Sequence, residues 1–252
     1  MEIKISELLL TNKNARPQLK LNGVRAIIMH WTANTHKGAN ALANRNYFNN
    51  PQTAASAHYI VDSTCILRCV PNDEVAYHVG AKSYAEIGTM IKLPNKSPNF
   101  NTIGIEMCVN ADDNFDGMKE NAIKLAAMLL LDNHLTIDDL LRHYDITGKN
   151  CPQFLLEAPA WNDFKQAVQK MMEQFESYPF RRFALVNTSS SSLNVRASAD
   201  SSSEILYKIP KGHKVEIVEE KDNWIKIGYG WISADYISRI ANDNPGTTVK
   251  KW

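Results

Sequence analysis

A change of pattern near residue 176 most constrains what this chain can fold into. Before it, short apolar runs alternate with longer stretches of helical periodicity, and after it come a serine run and then only short β-type segments. A length of 252 residues is sufficient for two domains. We expect an α/β domain, a polar linker, a small all-β domain and an aperiodic, loose tail, at residues 1–176, 177–192, 193–240 and 241–252.

The apolar runs of the first region predict the buried strands of a mixed central sheet, at residues 24–29, 56–62, 66–70 and 102–109. Helical periodicity predicts two helices that flank this sheet, at residues 118–133 and 159–175. The methionines of the second helix recur at core spacing, which indicates packing rather than cofactor binding. Thr136 and Asp139 have capping-box spacing and are expected to open a short helix that carries His143.

The charge balance gives no electrostatic reason to expect a nucleic-acid or membrane partner. Lys and Arg number 28 against 27 Asp and Glu, for a net charge of +1. No run approaches the roughly 18 apolar residues of a membrane span, and the apolar patch at residues 8–10 is too short for a signal sequence. We expect a protein made in the cytoplasm without a signal peptide. No feature of the sequence predicts an oligomeric state.

The four cysteines form neither a CxxC pair nor a regular disulfide framework. If Cys65 and Cys69 share a strand, they lie about 13 Å apart, which is beyond the reach of a disulfide. Three of the four are therefore expected to be buried free thiols.

Histidine and cysteine side chains in the first region form a candidate metal site. His143 and Cys151 bracket the segment HYDITGKNC, in which Thr147-Gly148 lets the loop turn back so that both side chains can face one ion. His30, at the end of a predicted buried strand, is a candidate third ligand. Spacing alone leaves open whether these residues bind a metal or are hydrogen-bonded structural residues.

Five segments, taken together and in order, resemble the type 2 N-acetylmuramoyl-L-alanine amidases, which include phage endolysins, bacterial autolysins and animal peptidoglycan recognition proteins. They are IIMHWTAN at 27, SAHYIVD at 56, EVAYHVG at 74, NTIGIEMCVN at 101 and RHYDITGKNCP at 142. The resemblance covers about residues 20–175. It implies a mixed sheet flanked by helices and a Zn²⁺ ion bound by His30, His143 and Cys151.

The resemblance also implies two catalytic groups. Lys149 would stabilise the oxyanion of the attacked amide, and Glu106, inside an apolar strand, would transfer protons. The alternatives are a solvated loop lysine and a solvent-facing glutamate. Some members of the family use a tyrosine at the position occupied here by Ala57, and its absence favours Glu106.

The AYHVG segment lines the substrate groove in the family. This makes His78 and Tyr77, together with Trp31, the predicted substrate contacts. His58 is left open between a structural role and a place in the groove.

Residues 193–237 resemble the bacterial SH3-like domains of wall hydrolases, through LNVR, the KIPKG turn, WIKI and GWISADYI. Such small barrels bind peptidoglycan. The candidate contact rings are Trp224, Tyr229, Trp231 and Tyr236, and the alternative is that these rings fill the core.

The resemblance favours a zinc hydrolase that cleaves the amide between N-acetylmuramic acid and the L-alanine of the stem peptide. A recognition protein that binds without cutting is less favoured because Cys151 is present. A cytosolic muropeptide-recycling amidase is less favoured because a wall-binding domain is predicted. A phage or prophage endolysin, or an autolysin, would act on the wall after lysis or after non-classical export.

Overall fold

The computed structural model describes residues 3–177, 182–189, 192–228, 230–239 and 247–251. The chain divides into two units, one formed by residues 1–175 with 246–252 and the other by residues 176–245. The division lies at the change of sequence pattern.

A mixed sheet forms the centre of the first unit, as the apolar runs predict. Its strands run in the order β1-β4-β3-β5-β2-β6, and among them only β3 and β4 pair in antiparallel fashion. Their bounds are β1 (Ile3–Glu7), β2 (Ala26–Trp31), β3 (Tyr59–Val61), β4 (Ile66–Arg68), β5 (Thr102–Met107) and β6 (Leu140–Arg142). The central strands β2 and β5 are buried along most of their length.

Helices cover the sheet, and the two predicted long helices are confirmed. The helices are α1 (Ala41–Phe48), α2 (Glu86–Ile91), α3 (Phe115–Asp132), α4 (His143–Thr147) and α5 (Ala158–Ser177). The main core contains α3 and α5 residues together with Met29, Tyr59 and Ile105, one from each of three neighbouring strands. Met172 of α5 is buried in this core, so the methionine stripe is packing, as predicted.

The prediction for Thr136 is correct about the cap and wrong about the helix. Thr136 and Asp139 form the expected capping box, but it opens a single 3-10 turn, Ile137–Asp139. The chain then enters β6 before His143 begins α4. Leu140 and Leu141 are buried in the sheet. The chain therefore continues after the turn as a strand and not as a helix.

All four cysteines are free thiols, in agreement with the sequence prediction. Cys69, Cys108 and Cys151 are buried, and Cys65 is half-buried.

The second unit consists of two antiparallel sheets with strand orders β10-β7-β14 and β11-β12-β13-β8-β9. The strands are β7 (Arg182–Val186), β8 (Ser192–Arg196), β9 (Ile205–Pro210), β10 (Lys214–Ile217), β11 (Glu219–Lys221), β12 (Trp224–Ile227), β13 (Gly230–Ser233) and β14 (Ile237–Arg239). Val195, Ile225 and Ile232 lie in its core. This is the small all-β domain that the sequence predicts.

Two segments differ from the predicted linker and tail. Strand β7 lies within the predicted linker, because Ala184 and Val186 are buried in the core of the second unit. In the expected loose tail, β15 (Thr247–Lys251) pairs in parallel with β1. Its Thr-Thr-Val sequence is rich in β-branched residues, which favour strands.

Among the residues described, none of the helices is both long and apolar enough to cross a lipid bilayer.

Asp62 joins the start of α1 to the β3–β4 turn. Its Oδ2 accepts a hydrogen bond from the Ala41 N–H at 2.9 Å, and its Oδ1 accepts from the backbone N–H groups of Thr64 and Cys65 and from the Thr64 hydroxyl, each at 2.8 Å. Burial alone raises the pKa of this carboxyl, but the hydrogen bonds to the charged form outweigh burial and hold the pKa below its ordinary value.

We expect Asp62→Asn to lower the free energy of unfolding of the first unit by about 2 kcal/mol at pH 7, because an amide NH₂ would face a backbone donor. A depressed carboxyl pKa contributes stability above the unfolded-state value and loses it as the pH falls through the folded-state value. The deficit should therefore shrink below about pH 4. Urea unfolding followed by the helical circular dichroism signal measures this. Asp116→Asn, at an exposed position, is the control, and equal losses in both variants would contradict the prediction.

Candidate metal centre

The centre lies at the carboxyl ends of β2 and β5. In the parallel pairing of these strands His30 is the register partner of Glu106, so the two side chains lie on the same face of the sheet. His30 is 1% exposed. An imidazole and a carboxyl are thus adjacent in a largely apolar region.

The other two candidate ligands come from the loop that follows β6. His143 is the first residue of α4, and Gly148 ends that helix in the left-handed conformation at φ 76°. The Tyr144 N–H then donates to the Cys151 carbonyl at 2.9 Å, which closes the loop. The predicted turn at Thr147-Gly148 is therefore present and brings Cys151 back toward His143.

The ligand atoms of the predicted trio converge. The distance from His30 Nδ1 to His143 Nδ1 is 3.1 Å, and that from His30 Nδ1 to Cys151 Sγ is 3.7 Å. All the ligand atoms lie within 4.8 Å of one another. In a tetrahedral zinc site such pairs are separated by about 3.3 and 3.6 Å, respectively. The three residues therefore fit one tetrahedral ion with a fourth position left over.

Burial sets the protonation state of these candidate ligands. It lowers the pKa of His30 well below its ordinary value and that of His143 to about 4, and in both cases the Lys149 ammonium lowers it further. Both imidazoles are thus neutral, as metal ligands must be. Burial also raises the pKa of the Cys151 thiol to about 12, and the negative charge of Glu106 contributes to this rise. A bound cation would supply the positive charge that favours the thiolate.

Glu106 carries a carboxyl oxygen that is shielded from solvent. Its Oε2 has no hydrogen-bond partner among the described residues. Burial raises the pKa of this carboxyl to about 8, and the positive charge of Lys149 opposes the rise. A carboxyl with a pKa near neutrality can both take up and release a proton at physiological pH. Lys149 itself is exposed on the loop between His143 and Cys151.

The three predicted substrate contacts lie in different surroundings. His78 Nδ1 is 3.0 Å from His30 Nε2, so this imidazole contacts a metal-ligand candidate directly. Trp31 follows His30 and places its ring edge-on to Phe154, at 6.3 Å between centroids. Tyr77 packs against the main core. The structure therefore brings His78 to the centre, while Trp31 contacts Phe154 and Tyr77 lies at the edge of the core.

His58, left open from the sequence, has a structural role. It is fully buried, its Nδ1 accepts from the Gly104 N–H at 3.1 Å, and its Nε2 donates to the Glu74 carbonyl at 3.0 Å. Burial lowers the pKa of this imidazole to about 4. A neutral ring with both nitrogens bonded links β5 to the segment that precedes His78.

Sequence reasoning missed Thr102 and Gly104. The Thr102 hydroxyl lies 3.2 Å from His78 Nε2, and the His78 ring packs over Gly104. Both residues alternate with the core positions of β5 and share the face of Glu106. The period of two in TIGIE was the signal that could have identified them.

Two parts of the chain match known families. Residues 20–154 match the family of N-acetylmuramoyl-L-alanine amidases, and residues 191–238 match the bacterial SH3 domain. The amidase BlyA of Bacillus subtilis is 38% identical over 64% of this chain and 45% of its own length. The amidase CwlL of Bacillus licheniformis is 34% identical over 83% of this chain and 56% of its own length. The chain thus spans about half the length of these curated relatives.

Solved structures share the fold of the first unit. The catalytic domain of XlyA is 32% identical and aligns with a TM-score of 0.56, over 66% of this chain and 98% of that domain. The structure of PlyL aligns with a TM-score of 0.53 at 23% identity, over 67% of this chain and 98% of PlyL, which shows likeness of fold alone.

The converging donors predict that the purified chain, stripped with a chelator, takes up about one equivalent of Co²⁺ with a thiolate-to-cobalt absorption band. Cys151→Ser should abolish the band, because it removes the only sulfur of the trio. Cys65→Ser changes a half-buried thiol outside the trio and is the control. An unchanged band in Cys151→Ser would place the metal elsewhere.

Proposed function

Because the chain belongs to the N-acetylmuramoyl-L-alanine amidase family, we propose that it is a zinc-dependent peptidoglycan hydrolase. It cleaves the amide bond between N-acetylmuramic acid and the L-alanine of the stem peptide. The observation that carries this proposal is the convergence of His30, His143 and Cys151 beside Glu106. A trio of ligands with a free fourth position is the arrangement of a catalytic rather than a structural zinc site.

Zn²⁺ fits the donor set of two imidazoles and one thiolate. When bound, it supplies a Lewis acid that polarises the amide carbonyl and lowers the pKa of water. The protein contributes the rest of the chemistry through the two charged groups beside the trio.

Glu106 acts as the general base and then as the general acid. Its carboxylate takes a proton from the attacking water, and the same oxygen later delivers a proton to the leaving amine of L-alanine. Its dry surroundings, which raise the pKa of the carboxyl to about 8, make both directions of proton transfer accessible.

Lys149 stabilises the negative charge that develops on the carbonyl oxygen of the amide. Its positive charge lowers the pKa values of His30, His143 and Glu106, which supports this role. Trp31 and Tyr77 complete the proposed site as substrate contacts, and Trp31 joins an aromatic row through Phe154.

The same observations favour catalysis over recognition alone. A recognition protein needs neither a thiolate ligand nor a buried carboxyl without a hydrogen-bond partner, and such a carboxyl is costly to keep in the fold. We place the activity at the bacterial cell wall, in a phage or prophage endolysin or in an autolysin.

We expect digestion of isolated peptidoglycan to release new alanine amino groups without new reducing sugar ends, and a chelator to stop the release until zinc is restored. Glu106→Gln should lower kcat by about 10²- to 10⁴-fold, because it removes the proton acceptor, while zinc binding persists. Glu120→Gln, on the exposed side of α3, is the control. Binding to the wall without release of either group would indicate a recognition protein instead.

The second unit offers a binding groove for the wall. An open groove of about 810 Å³ is lined by Trp224 and Tyr236 together with polar side chains that include Asn194, Arg196 and Asp235. Trp231 is half-buried with the Lys226 ammonium 5.7 Å from its ring centroid, and Tyr229 lies outside the described residues. Two of the four predicted rings therefore face one polar groove, which suits a peptide or glycan segment of peptidoglycan.

Tyr236→Ala should reduce the fraction of protein that sediments with isolated peptidoglycan by roughly 10-fold, since exposed aromatic residues often dominate binding at such surfaces. Hydrolysis of a soluble muropeptide should not change, because that reaction does not need the second unit. Tyr207→Ala is a matched control: Tyr207 is 45% exposed against 47% for Tyr236, and it lies on β9. If both variants bind the wall alike, the groove is not the binding surface.

A further inference from the structure

We propose that His78 is a positioning residue for the metal centre: together with Thr102 it holds His30 in the tautomer whose Nδ1 is free to bind the ion. This inference rests on the proposed zinc site. It assigns the His78 imidazole to the support of a ligand rather than to contact with substrate.

The direction of the hydrogen bonds at Thr102 determines the tautomer of His78. This residue is fully buried, and its hydroxyl donates to the Pro98 carbonyl at 2.8 Å. A hydroxyl has one hydrogen to donate, so toward His78 Nε2, at 3.2 Å, the Thr102 oxygen accepts. The proton of the His78 ring therefore lies on Nε2.

The tautomer of His78 in turn determines the tautomer of His30. A neutral imidazole with its proton on Nε2 has an acceptor at Nδ1. His78 Nδ1 lies 3.0 Å from His30 Nε2, so His30 donates its own Nε2–H. The lone pair of His30 Nδ1 is then unprotonated and faces His143 Nδ1 and Cys151 Sγ. Metal-bound histidines commonly donate their second ring N–H to a protein acceptor in this way.

Independent features of the fold hold the His78 ring in this place. A Cβ at position 104 would lie 2.6 Å from His78 Nδ1 and 2.7 Å from its Cγ, so Gly104 leaves the space that the imidazole fills. Asn99, 4% exposed, accepts from the backbone N–H groups of His78 and Val79 at 3.0 and 2.8 Å. Gly104 thus leaves room for the His78 ring on one side, and the buried side-chain amide of Asn99 fixes the backbone that carries it.

The test measures zinc affinity of the full chain by competition with a chromophoric chelator. His78→Leu removes the acceptor for His30, and Thr102→Val removes the acceptor for His78. Both should raise the zinc Kd by about 10- to 100-fold, the usual effect of losing such a partner. His78→Asn, whose side-chain oxygen can take the position of Nδ1, should restore most of the affinity.

The matched control is Thr32→Val, which removes a buried hydroxyl that has no hydrogen-bond partner among the described residues. Its zinc Kd should equal that of the wild type. Gly104→Ala should lower the affinity as His78→Leu does, because its methyl group displaces the ring.

Long-range ¹H–¹⁵N spectra of the metal-free protein provide a readout that needs no metal, and the tautomers of the wild type can be read without any variant. We expect His30 and His78 both to carry their proton on Nε2, and Thr102→Val to shift that preference in His78. A proton on His30 Nδ1 together with a bare Nε2 in the wild type would overturn the proposal.

The outcomes separate this proposal from the proposed function. A wild type that binds no zinc refutes the zinc site, and the spectra then still decide the tautomer. A wild type that binds zinc tightly while His78→Leu binds it equally well refutes the positioning role alone. In that second case a raised KM for peptidoglycan in His78→Leu would return the residue to substrate contact.

Discussion

The centre depends on the register between the parallel strands β2 and β5. This pairing sets His30 opposite Glu106 and, by alternation, places Thr102 and Gly104 on the same face of β5 as Glu106. The intervening residues Ile103, Ile105 and Met107 are buried in the main core on the other face. One strand thus packs against α3 and α5 with one set of side chains and builds the site with the other. A shift of one residue would exchange the two sets. The packing of β5 against α3 and α5 therefore also fixes the positions of Thr102, Gly104 and Glu106 on the other face.

Dry surroundings explain the electrostatics of the whole site. Removal from water disfavours every charged form, so it keeps His30, His78 and His143 neutral while it favours the protonated forms of Glu106 and Cys151. In such a place a cation is the natural complement, because it stabilises a thiolate and a carboxylate together without needing a charged imidazole. Lys149 contributes a second positive charge from the exposed loop. The one physical condition therefore accounts for opposite pKa shifts at acidic and basic groups.

The sequence predicts the parts of the fold that have long or strongly apolar signals. The runs that became β2 and β5 and the periodic stretches that became α3 and α5 were identifiable. The candidate trio of His30, His143 and Cys151, whose side chains the structure brings together, was proposed from donor chemistry combined with the family resemblance. Shorter elements were not identifiable from the sequence. β6 has only Leu140 and Leu141 as buried residues, and β1 has only the alternation of Ile3 and Ile5. The contact between His78 and His30 was not predictable either, because it joins residues 48 positions apart through the register of the sheet.

Gly104 shows how the fold balances stability against function. A glycine inside a central strand weakens the sheet, by roughly 0.5–1 kcal/mol relative to alanine, and a shielded carboxyl without a partner at Glu106 adds a further cost. Both residues lie on the face of β5 that lines the candidate centre, where Gly104 makes room for an imidazole and the Oε2 of Glu106 has no hydrogen-bond partner among the described residues. The fully buried side chains of Ile103, Ile105 and Met107 on the opposite face offset these costs. Alternation along a strand therefore lets the chain concentrate destabilising, reactive groups on one face while the other face keeps the domain folded.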